Sequence, residues 1–439
     1  MIKRRGESWR VPERSRRRLL YVQPCSSFGG AERQASLNVP GLANAGFDVL
    51  PLVGPSSTIV RWLNDNGVEE LIHAMEFPGG GPKLTGWARA RIPFVYVRAV
   101  HRIAERIEAL VRGRQIDAIL AAMPFSWVAA TPVARRLGVP IIWRAGGTEI
   151  HPVERAILTA WAALSPPDLL VCCGQAVHDR FADLVGAPSV VVNNGVDTEA
   201  FHPTAGDARS YRPEGAGLVV GFAARLVPQK RPEDFLRMAA EIAPFHRDVR
   251  FLIAGEGSRR PLYEEMAEVS PAADQVRFLG YVEDMRSFYA ACDIIVLPSR
   301  SEGCPNVVLE SMAMRRALVV SNAAGTREVV THEREALVFP IGDIAAFAAA
   351  VRRVIEQPAL RRDLGLRAHE RVESAFSTHA STHHLAAHLH EVADRKPAPW
   401  VVPVPAPIAP EVAAGDEPAD EAVRAARWWA PSRLAGDDR

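Results

Sequence analysis

Three kinds of local structure are joined in one short stretch of the sequence, Ile294-Ile-Val-Leu-Pro-Ser-Arg-Ser-Glu-Gly-Cys-Pro-Asn-Val-Val-Leu-Glu310. Its apolar start predicts a buried strand, and polar residues with a glycine predict a turn after it. A helix is expected to begin near Pro305 or Asn306, because proline suits the first helical turn. The free N–H groups and dipole of such a helix start attract a phosphate or a developing anion. The segment therefore predicts a strand–turn–helix unit with an anion site at its turn.

Two carboxylates, Glu302 and Glu310, belong to this unit. A hydrolase would hold its acid/base pair about 5–10 Å apart on either side of the scissile bond. Two carboxylates on one loop–helix segment would more naturally contact successive parts of one elongated ligand. The structural alternative is that Glu302 is a turn residue and Glu310 a solvated helix residue, and the spacing alone leaves it open.

Short apolar runs alternate with helical patterns on both sides of this segment. Such alternation implies parallel strands joined by crossover helices. We therefore predict an α/β protein with two Rossmann-like, doubly wound domains that face a central cleft. The strand candidates are residues 18–23, 49–53, 118–121, 140–143, 169–173, 189–192, 218–223, 249–254, 276–278, 294–297 and 317–321. The helix candidates include residues 100–112, 232–242, 259–269, 285–290, 306–314 and 344–356.

A length of 439 residues suits two domains of about 150–200 residues each. A stretch rich in Gly, Pro and polar residues predicts the linker at 204–217. Recurring prolines after residue 396 predict an extended, disordered tail. The expected parts are a basic leader at 1–18, a first domain at 19–205, a second at 206–376, a segment at 377–395 that packs back on the first, and the tail at 396–439.

The composition is that of a soluble globular protein, with 48% apolar and 23% charged residues. A formal net charge of +1 gives no reason to expect nucleic acid as a partner. The five cysteines include no C-x-x-C pair, which argues against a disulfide framework or a zinc site and for a reducing compartment. No stretch approaches the ~18–20 apolar residues of a membrane span, so a cytoplasmic protein is expected. The basic leader is either solvated or in contact with anionic lipid.

Two cations follow another predicted strand. Arg225 and Lys230 lie in the turn after residues 218–223, and two positive charges at a strand's carboxyl end suit a diphosphate. They would neutralise the leaving group as a sugar–phosphate bond breaks. The alternative is an ordinary exposed pair.

Gly29 and Gly30 open a helical stretch, and glycines let the backbone approach a ligand closely.

Taken in order, these segments resemble the retaining glycosyltransferases of family 4, which have the two-Rossmann-domain GT-B architecture. The resemblance covers about residues 19–376. Four segments carry it, namely 29–32, 194–201, 225–230 and 302–310, and shorter matches at 253–257, 278–281 and 325–329 support it. The set in this order is specific, although no single piece is.

The resemblance implies roles for these residues. Glu302, Arg225 and Lys230 are the expected catalytic residues, with Glu302 at the donor sugar and the two cations at its diphosphate. Glu310 would accept hydrogen bonds from the ribose hydroxyls. The remaining expected donor contacts are Gly29, Gly30, Gly280, Tyr281, Val282, Gly303, Asn306 and Val307.

The activity that the resemblance implies is retaining transfer from a UDP- or GDP-sugar to a carbohydrate or lipid-linked acceptor. Synthesis of a cell-surface polysaccharide at the inner face of the membrane is the expected setting, by analogy with the family. Neither a cofactor nor an obligatory metal is expected. The alternatives are a nucleotide-sugar epimerase or a phosphorylase of the same architecture, and a non-catalytic protein that binds nucleotide sugar.

The sequence departs from the family pattern on the acceptor side. Gly146 stands where many members have a histidine, so the resemblance does not carry over that histidine's contact to the donor sugar. Arg144, Glu149 and His151, in the same stretch, are the candidates to replace it, and the alternative for each is a structural role.

Two further departures replace glycines. Arg231 and Ala224 occupy the usual glycine positions after and before the cation pair. Residues 315–317, Arg-Arg-Ala, replace the Gly-x-Pro that normally follows the Glu310 helix.

Overall fold

The structure is a computed structural model that describes residues 16–23, 29–53, 59–60, 63–64, 68, 92–150 and 152–395. Most of the predicted leader, the whole predicted tail, Cys25 and His151 lie outside these residues. None of the described helices is long and apolar enough to cross a membrane.

The first sheet has six parallel strands in the order β2-β1-β3-β4-β5-β6. The first five strands along the chain are largely apolar and buried, as parallel strands covered by helices on both faces must be, whereas the residues of the edge strand β6 are half-buried. The strands are β1 Arg17–Gln23, β2 Phe47–Val53, β3 Ala118–Ala122, β4 Ile141–Ala145, β5 Leu169–Cys172 and β6 Ser189–Val191. The helices between them include α1 Gly30–Asn44, α2 Ile92–Val111, α3 Pro124–Leu137, α4 Pro152–Leu164 and α5 Gln175–Val185.

The second sheet also has six parallel strands, in the order β12-β11-β10-β7-β8-β9. Its strands are β7 Leu218–Ala223, β8 Val249–Ala254, β9 Val276–Gly280, β10 Ile294–Leu297, β11 Ala317–Ser321 and β12 Leu337–Phe339. Its helices are α6 Pro232–Ile242, α7 Arg260–Glu268, α8 Met285–Ala291, α9 Asn306–Ala313, α10 Ala324–Val329 and α11 Ile344–Glu356. Two further helices follow, α12 Pro358–Ala375 and α13 Thr378–Ala393.

The predicted fold class is therefore confirmed. The main differences concern element bounds and elements that the sequence reading did not propose. Helix α2 begins at Ile92, earlier than the predicted residue 100. The short strand β12 and the helices α12 and α13 were not predicted. Helix α12 gives a weak apolar signal because its buried positions include a glycine, an alanine and His369.

The strand order of the second sheet creates a crevice beside the carboxyl end of β7. Chain connections leave β7 for β8 on one side and return through β10 on the other. Ligands of doubly wound sheets bind at such a switch point, outside the carboxyl ends of the strands. The turn with Arg225 and Lys230 follows β7, and the turn with Glu302 follows β10, so both turns lie at this crevice.

Helix α13 packs against α1 of the first sheet. A Cβ atom at Gly41 would lie 2.5 Å from Thr382 Cγ2, so the two helices approach closely. Leu385 and Leu389 join the buried cluster around Leu19. The last described helix thus completes the core of the first domain.

The arginines at two usual glycine positions adopt left-handed backbone conformations. The φ angle is 53° at Arg231 and 55° at Arg315. A side chain in this region costs roughly 1–2 kcal/mol because Cβ crowds the backbone. Arg231 has a compensating contact, since its Nε donates to the fully buried carboxylate of Asp234. The Arg315 side chain has no hydrogen bond or ion pair within the described part of the chain.

We predict that Arg315→Gly raises the free energy of unfolding by up to about 1 kcal/mol. The relieved strain exceeds the ~0.5–1 kcal/mol that glycine adds through chain entropy. Arg231→Gly is the matched variant and is expected to lower stability, because the buried Asp234 loses its hydrogen bond from Arg231 Nε and keeps only a 3.6 Å pair with the exposed Arg237. Denaturant titration of both variants measures the difference. A loss of stability in Arg315→Gly would contradict the strain argument.

Candidate functional site

Glu302 lies in the turn between β10 and α9 and is only 6% exposed. Its Oε1 is 2.6 Å from Lys230 Nζ, which the turn after β7 provides. Glu302 is therefore a turn residue, as its position in the sequence predicts, but a buried and paired one. The two turns at the switch point place a carboxylate and an ammonium in direct contact.

Arg225 shares the turn with Lys230. The turn is held by hydrogen bonds of 2.9 Å from Val227 N to Arg225 O and from Lys230 N to Val227 O. The Arg225 side chain is exposed and makes no hydrogen bond or ion pair with the described residues. It is a cation at the crevice whose donors are available to a ligand.

Glu310 is buried in α9, also at 6% exposure, so the alternative of a solvated helix residue is wrong. Tyr289 Oη donates to Glu310 Oε2 at 2.7 Å, and Arg33 Nε lies 3.2 Å from Oε1. Burial, with a smaller contribution from the Glu310 charge, raises the pKa of Tyr289 well above its usual value. The phenol therefore stays protonated and serves as a hydrogen-bond donor.

Several backbone N–H groups around these carboxylates lack an acceptor among the described residues. They belong to Glu302, Gly303 and Cys304 in the turn and to Asn306 and Val307 at the start of α9. Free donors of this kind, at the positive end of a helix dipole, suit phosphate oxygens or sugar hydroxyls.

The Asn306 side chain binds three residues of the first domain. Its Oδ1 accepts hydrogen bonds from Gln34 Nε2 at 2.9 Å and Asn194 Nδ2 at 3.1 Å. Its Nδ2 donates to Gly30 O at 2.9 Å. These bonds bring the start of α1 to the start of α9. Gly29, which caps α1, therefore also lies at the cleft. Its backbone N–H donates to Glu32 Oε2 at 2.9 Å.

Gly303 lies where the two domains approach most tightly at this turn. A Cβ atom there would be 2.9 Å from Cys173 Sγ and 3.2 Å from Gly146 O. A Cβ atom at Gly325 would lie 2.0 Å from Gly303 O. Both positions need glycine for close approach, and the stretch with Gly146 faces the Glu302 turn across the cleft.

Arg144 is the next-to-last residue of β4, in that stretch, and is 5% exposed. Its Nη2 donates to Asn194 Oδ1 at 3.3 Å, whereas its Nη1 is buried and has no partner. No described carboxylate forms an ion pair with it. Glu149 instead lies at the surface, 2.9 Å from Arg300 Nη2. Arg144 thus joins the polar cluster of the cleft, and Glu149 lies at its rim.

Residues 280–282 lie at the carboxyl end of β9, whose last residue is Gly280. Gly280 has a φ of 70°, Tyr281 is 51% exposed and Val282 is buried. Partial burial and the charge of Glu283 raise the pKa of Tyr281, and the charge of Arg33 opposes this increase.

The sequence predicts no role for Arg33, Gln34 or Tyr289, and Asn194 enters only as part of the matching segment 194–201. Arg33 and Gln34 lie three and four residues after Gly30 on α1, so the helix period gave a signal for them. No signal in the sequence pointed to Tyr289, because its hydrogen bond to Glu310 depends on how α8 packs.

Four cysteines, Cys172, Cys173, Cys292 and Cys304, are buried and free. Within the described residues, no group of three or more His, Cys, Asp or Glu side chains could hold a metal ion. Whether the activity needs a metal stays a prediction.

Two family models match the chain. Glycosyltransferase family 4 matches residues 28–200, and glycosyl transferases group 1 matches residues 217–357. The two matches cover both sheets in order. The chain therefore belongs to the group 1 glycosyltransferases, a family of transferases.

Named relatives agree at this level. The alpha-D-kanosaminyltransferase of Streptomyces kanamyceticus is 30% identical over 40% of this chain and 46% of its own length. The lipopolysaccharide core biosynthesis glycosyltransferase LpsE of Rhizobium meliloti is 27% identical over 74% of this chain and 91% of its own length. Two other curated relatives are matched over 65% and 59% of their length, so the chain spans less than two thirds of several of them.

Among solved structures, Anabaena Alr3699/HepE in complex with UDP-glucose has a TM-score of 0.70 with this chain. The sequence identity is 17%, and the match covers 85% of this chain and 99% of that one. At this identity the likeness shows the fold. The two facing Rossmann-like domains have the GT-B architecture.

We predict that the four buried cysteines resist alkylation in the native protein. Burial raises the pKa of Cys172 and of Cys173 to about 12 and raises those of Cys292 and Cys304 as well. The reactive thiolate is therefore scarce at pH 8. Iodoacetamide treatment followed by peptide mass spectrometry, with and without denaturant, measures this. Rapid native labelling of any of the four would contradict it.

Proposed function

We propose that this chain is a retaining glycosyltransferase that moves a sugar from a UDP- or GDP-sugar to a carbohydrate or lipid-linked acceptor. The observation that carries the proposal is the Lys230–Glu302 pair beside the free N–H groups at the switch point. Glu310 extends the same surface. The similarity to HepE, whose structure contains UDP-glucose, and to LpsE, a lipopolysaccharide core biosynthesis glycosyltransferase, supports this donor class and a role in surface polysaccharide synthesis.

The cation pair would bind the donor's diphosphate. Lys230 is oriented by Glu302, and the unpaired Arg225 can approach the same diphosphate from the other end of the turn. As the sugar–phosphate bond breaks, negative charge grows on the leaving diphosphate, and fixed cations stabilise that change. In this proposal they do so without an obligatory metal.

Glu310 would bind the ribose. A carboxylate offers about four lone-pair sites, and Tyr289 and Arg33 use one on each oxygen. The remaining capacity suits two neighbouring hydroxyl groups. Because Tyr289 is a buried protonated donor, it keeps the carboxylate oriented towards the cleft.

The sugar would lie between the two ends of this arrangement. The carboxylate of Glu302 and the N–H groups of Gly303 and Cys304 would receive its hydroxyls. The acceptor would attack from the face that the diphosphate leaves, and a phosphate oxygen would take the acceptor's proton. The anomeric configuration would then be retained without a side-chain general base.

Arg144 would act from the first domain. It lies in the stretch where Gly146 replaces the usual histidine, and its buried Nη1 lacks a partner. A guanidinium in this position would contact the donor sugar or its leaving phosphate.

We place the reaction in the cytoplasm, with the acceptor presented at the inner face of the membrane.

The direct test is a binding screen followed by a transfer assay. Calorimetry with UDP, GDP and ADP identifies the base, and an isotope-labelled nucleotide sugar then follows transfer to membrane-extracted acceptors. NMR of the product must show the donor's anomeric configuration. Label that appears only in an epimerised nucleotide sugar would overturn the proposal in favour of an epimerase, and binding without turnover would favour a non-catalytic role.

We predict that Lys230→Met and Glu302→Gln each lower kcat by about 10²–10³, the range for loss of a preorganised charge at a transition state. The matched control is Arg247→Gln, which changes an exposed arginine of the same domain outside the cleft. Initial rates at saturating donor measure the effect. Wild-type kcat in Lys230→Met would contradict the assigned role.

We predict that Arg144→Met lowers kcat/KM by about tenfold to a hundredfold, the loss of one charge-assisted hydrogen bond. Its stability should stay unchanged or rise, because a buried cation without a carboxylate partner is costly. Arg135→Met is the matched variant, since Arg135 is equally buried but lies 2.9 Å from Asp168. It should be destabilised by about 3–5 kcal/mol. Full activity in Arg144→Met would show that Arg144 is only structural.

A further inference from the structure

A second cavity lies at the opposite edge of the second sheet. It has a volume of about 230 Å³ and is bounded where β10 and β11 begin and where α12 begins. The donor cleft lies at the carboxyl ends of these strands, so the two sites are separate. Four arginines line the cavity, together with Asp293, Ala317 and Pro358; they are Arg315, Arg316, Arg361 and Arg362.

Two of these arginines are held in place by the backbone. Arg316 donates from Nε to Met314 O at 2.6 Å and from Nη1 to Cys292 O at 3.2 Å. Arg361 Nη1 donates to the carbonyls of Val354 and Ile355, both at 3.1 Å. Because a guanidinium carries five N–H donors, these bonds fix each plane and leave other donors for a ligand. The two arginines are preorganised.

The other two arginines have little to hold them. Arg315 makes no side-chain contact among the described residues, and Arg362 has only a loose pair with the exposed Asp363 at 3.7 Å. The cavity's own carboxylate does not neutralise them, because Asp293 pairs with Arg212 at 3.0 Å and accepts from Val219 N at 2.8 Å. The cavity therefore has a clear excess of positive charge.

Three features of this cavity oppose stability unless an anion binds there. Arg361 lies in the first turn of α12, where the helix dipole disfavours cations, and Arg362 directly follows that turn. Arg315 adopts a left-handed backbone at a position that glycine would satisfy. Burial also lowers the pKa of the Arg316 guanidinium, against the opposing charge of Asp293. A bound anion would offset all of these costs.

We propose that this cavity, lined by Arg315, Arg316, Arg361 and Arg362, is a binding site for a phosphate ester. The fork of a guanidinium matches phosphate oxygens, and the free N–H groups at the start of α12 add donors. The volume holds one phosphate group with a small organic substituent. Helix α9 runs from Asn306 in the donor cleft to the turn that carries Arg315, so the bound anion contacts the end of an element that also shapes the cleft.

The test measures binding of inorganic phosphate to the full-length chain by calorimetry. The donor cleft also binds phosphate in our proposal, so Lys230→Met provides the background in which only the second site remains intact. We expect Arg315→Gly/Arg362→Gln in that background to lose at least tenfold in phosphate affinity. Arg247→Gln in the same background should bind like its parent. This readout is independent of transferase activity.

Two sources of the phosphate are distinguished by vesicle sedimentation. Vesicles of phosphatidylcholine with 30% phosphatidylglycerol should sediment the wild-type chain, but not the double variant, if the ligand is a lipid headgroup (roughly 1 kcal/mol for each surface cation). Arginine-dependent binding of inorganic phosphate without sedimentation assigns a soluble phosphate ester. Either result supports the site.

The proposal is overturned if phosphate affinity in the Lys230→Met background is the same with and without the cavity arginines. Loss of fold does not obscure this result, because Arg315→Gly is expected to be at least as stable as the wild type. Arg362→Glu is a second, exposed variant that reverses one charge and should weaken phosphate binding further. Unchanged binding in that variant would also overturn the proposal.

Discussion

The three hydrogen bonds of the Asn306 side chain hold the cleft together. They join the first residue of α9 to α1 and to the turn after β6, so the start of one domain's helix is fixed by the other domain. Everything that projects from α9 and from the turn before it depends on that placement. Glu302 and Glu310 can serve one ligand only because α9 begins at this point and in this orientation. An amide does this well, because it accepts and donates from one rigid group.

The sequence was sufficient to predict the fold class and to bring three charged side chains to one edge of the second sheet. Arg225, Lys230 and Glu302 each follow an apolar strand, and the carboxyl ends of parallel strands meet at one edge of a sheet. The structure shows Lys230 and Glu302 in direct contact there. The fold could be predicted because the alternation of buried strands and helices is repeated twice along the chain.

The rest of the site depends on how the two domains meet, and no local pattern encodes that. Arg33 and Glu310 are far apart in sequence, and nothing near either residue designates the other. Tyr289 reaches Glu310 only because α8 packs beside α9. The burial of both glutamates was likewise open, since a polar residue in a turn or helix is more often exposed than buried. Helix α12 was not predicted because only Leu364 and Val372 on its buried face are large apolar residues, and the others are a glycine, an alanine and His369.

The position of α13 has a consequence for how the chain folds during synthesis. Leu385 and Leu389 complete the core around Leu19, although some 360 residues separate them in sequence. A ribosome adds about 5–20 residues per second, so residues 205–393 take on the order of ten to forty seconds to appear. During that time the first domain carries an uncovered apolar face, while the second domain can already fold. The nascent protein is therefore most prone to aggregation, and most in need of a chaperone, in the interval before its last helix emerges.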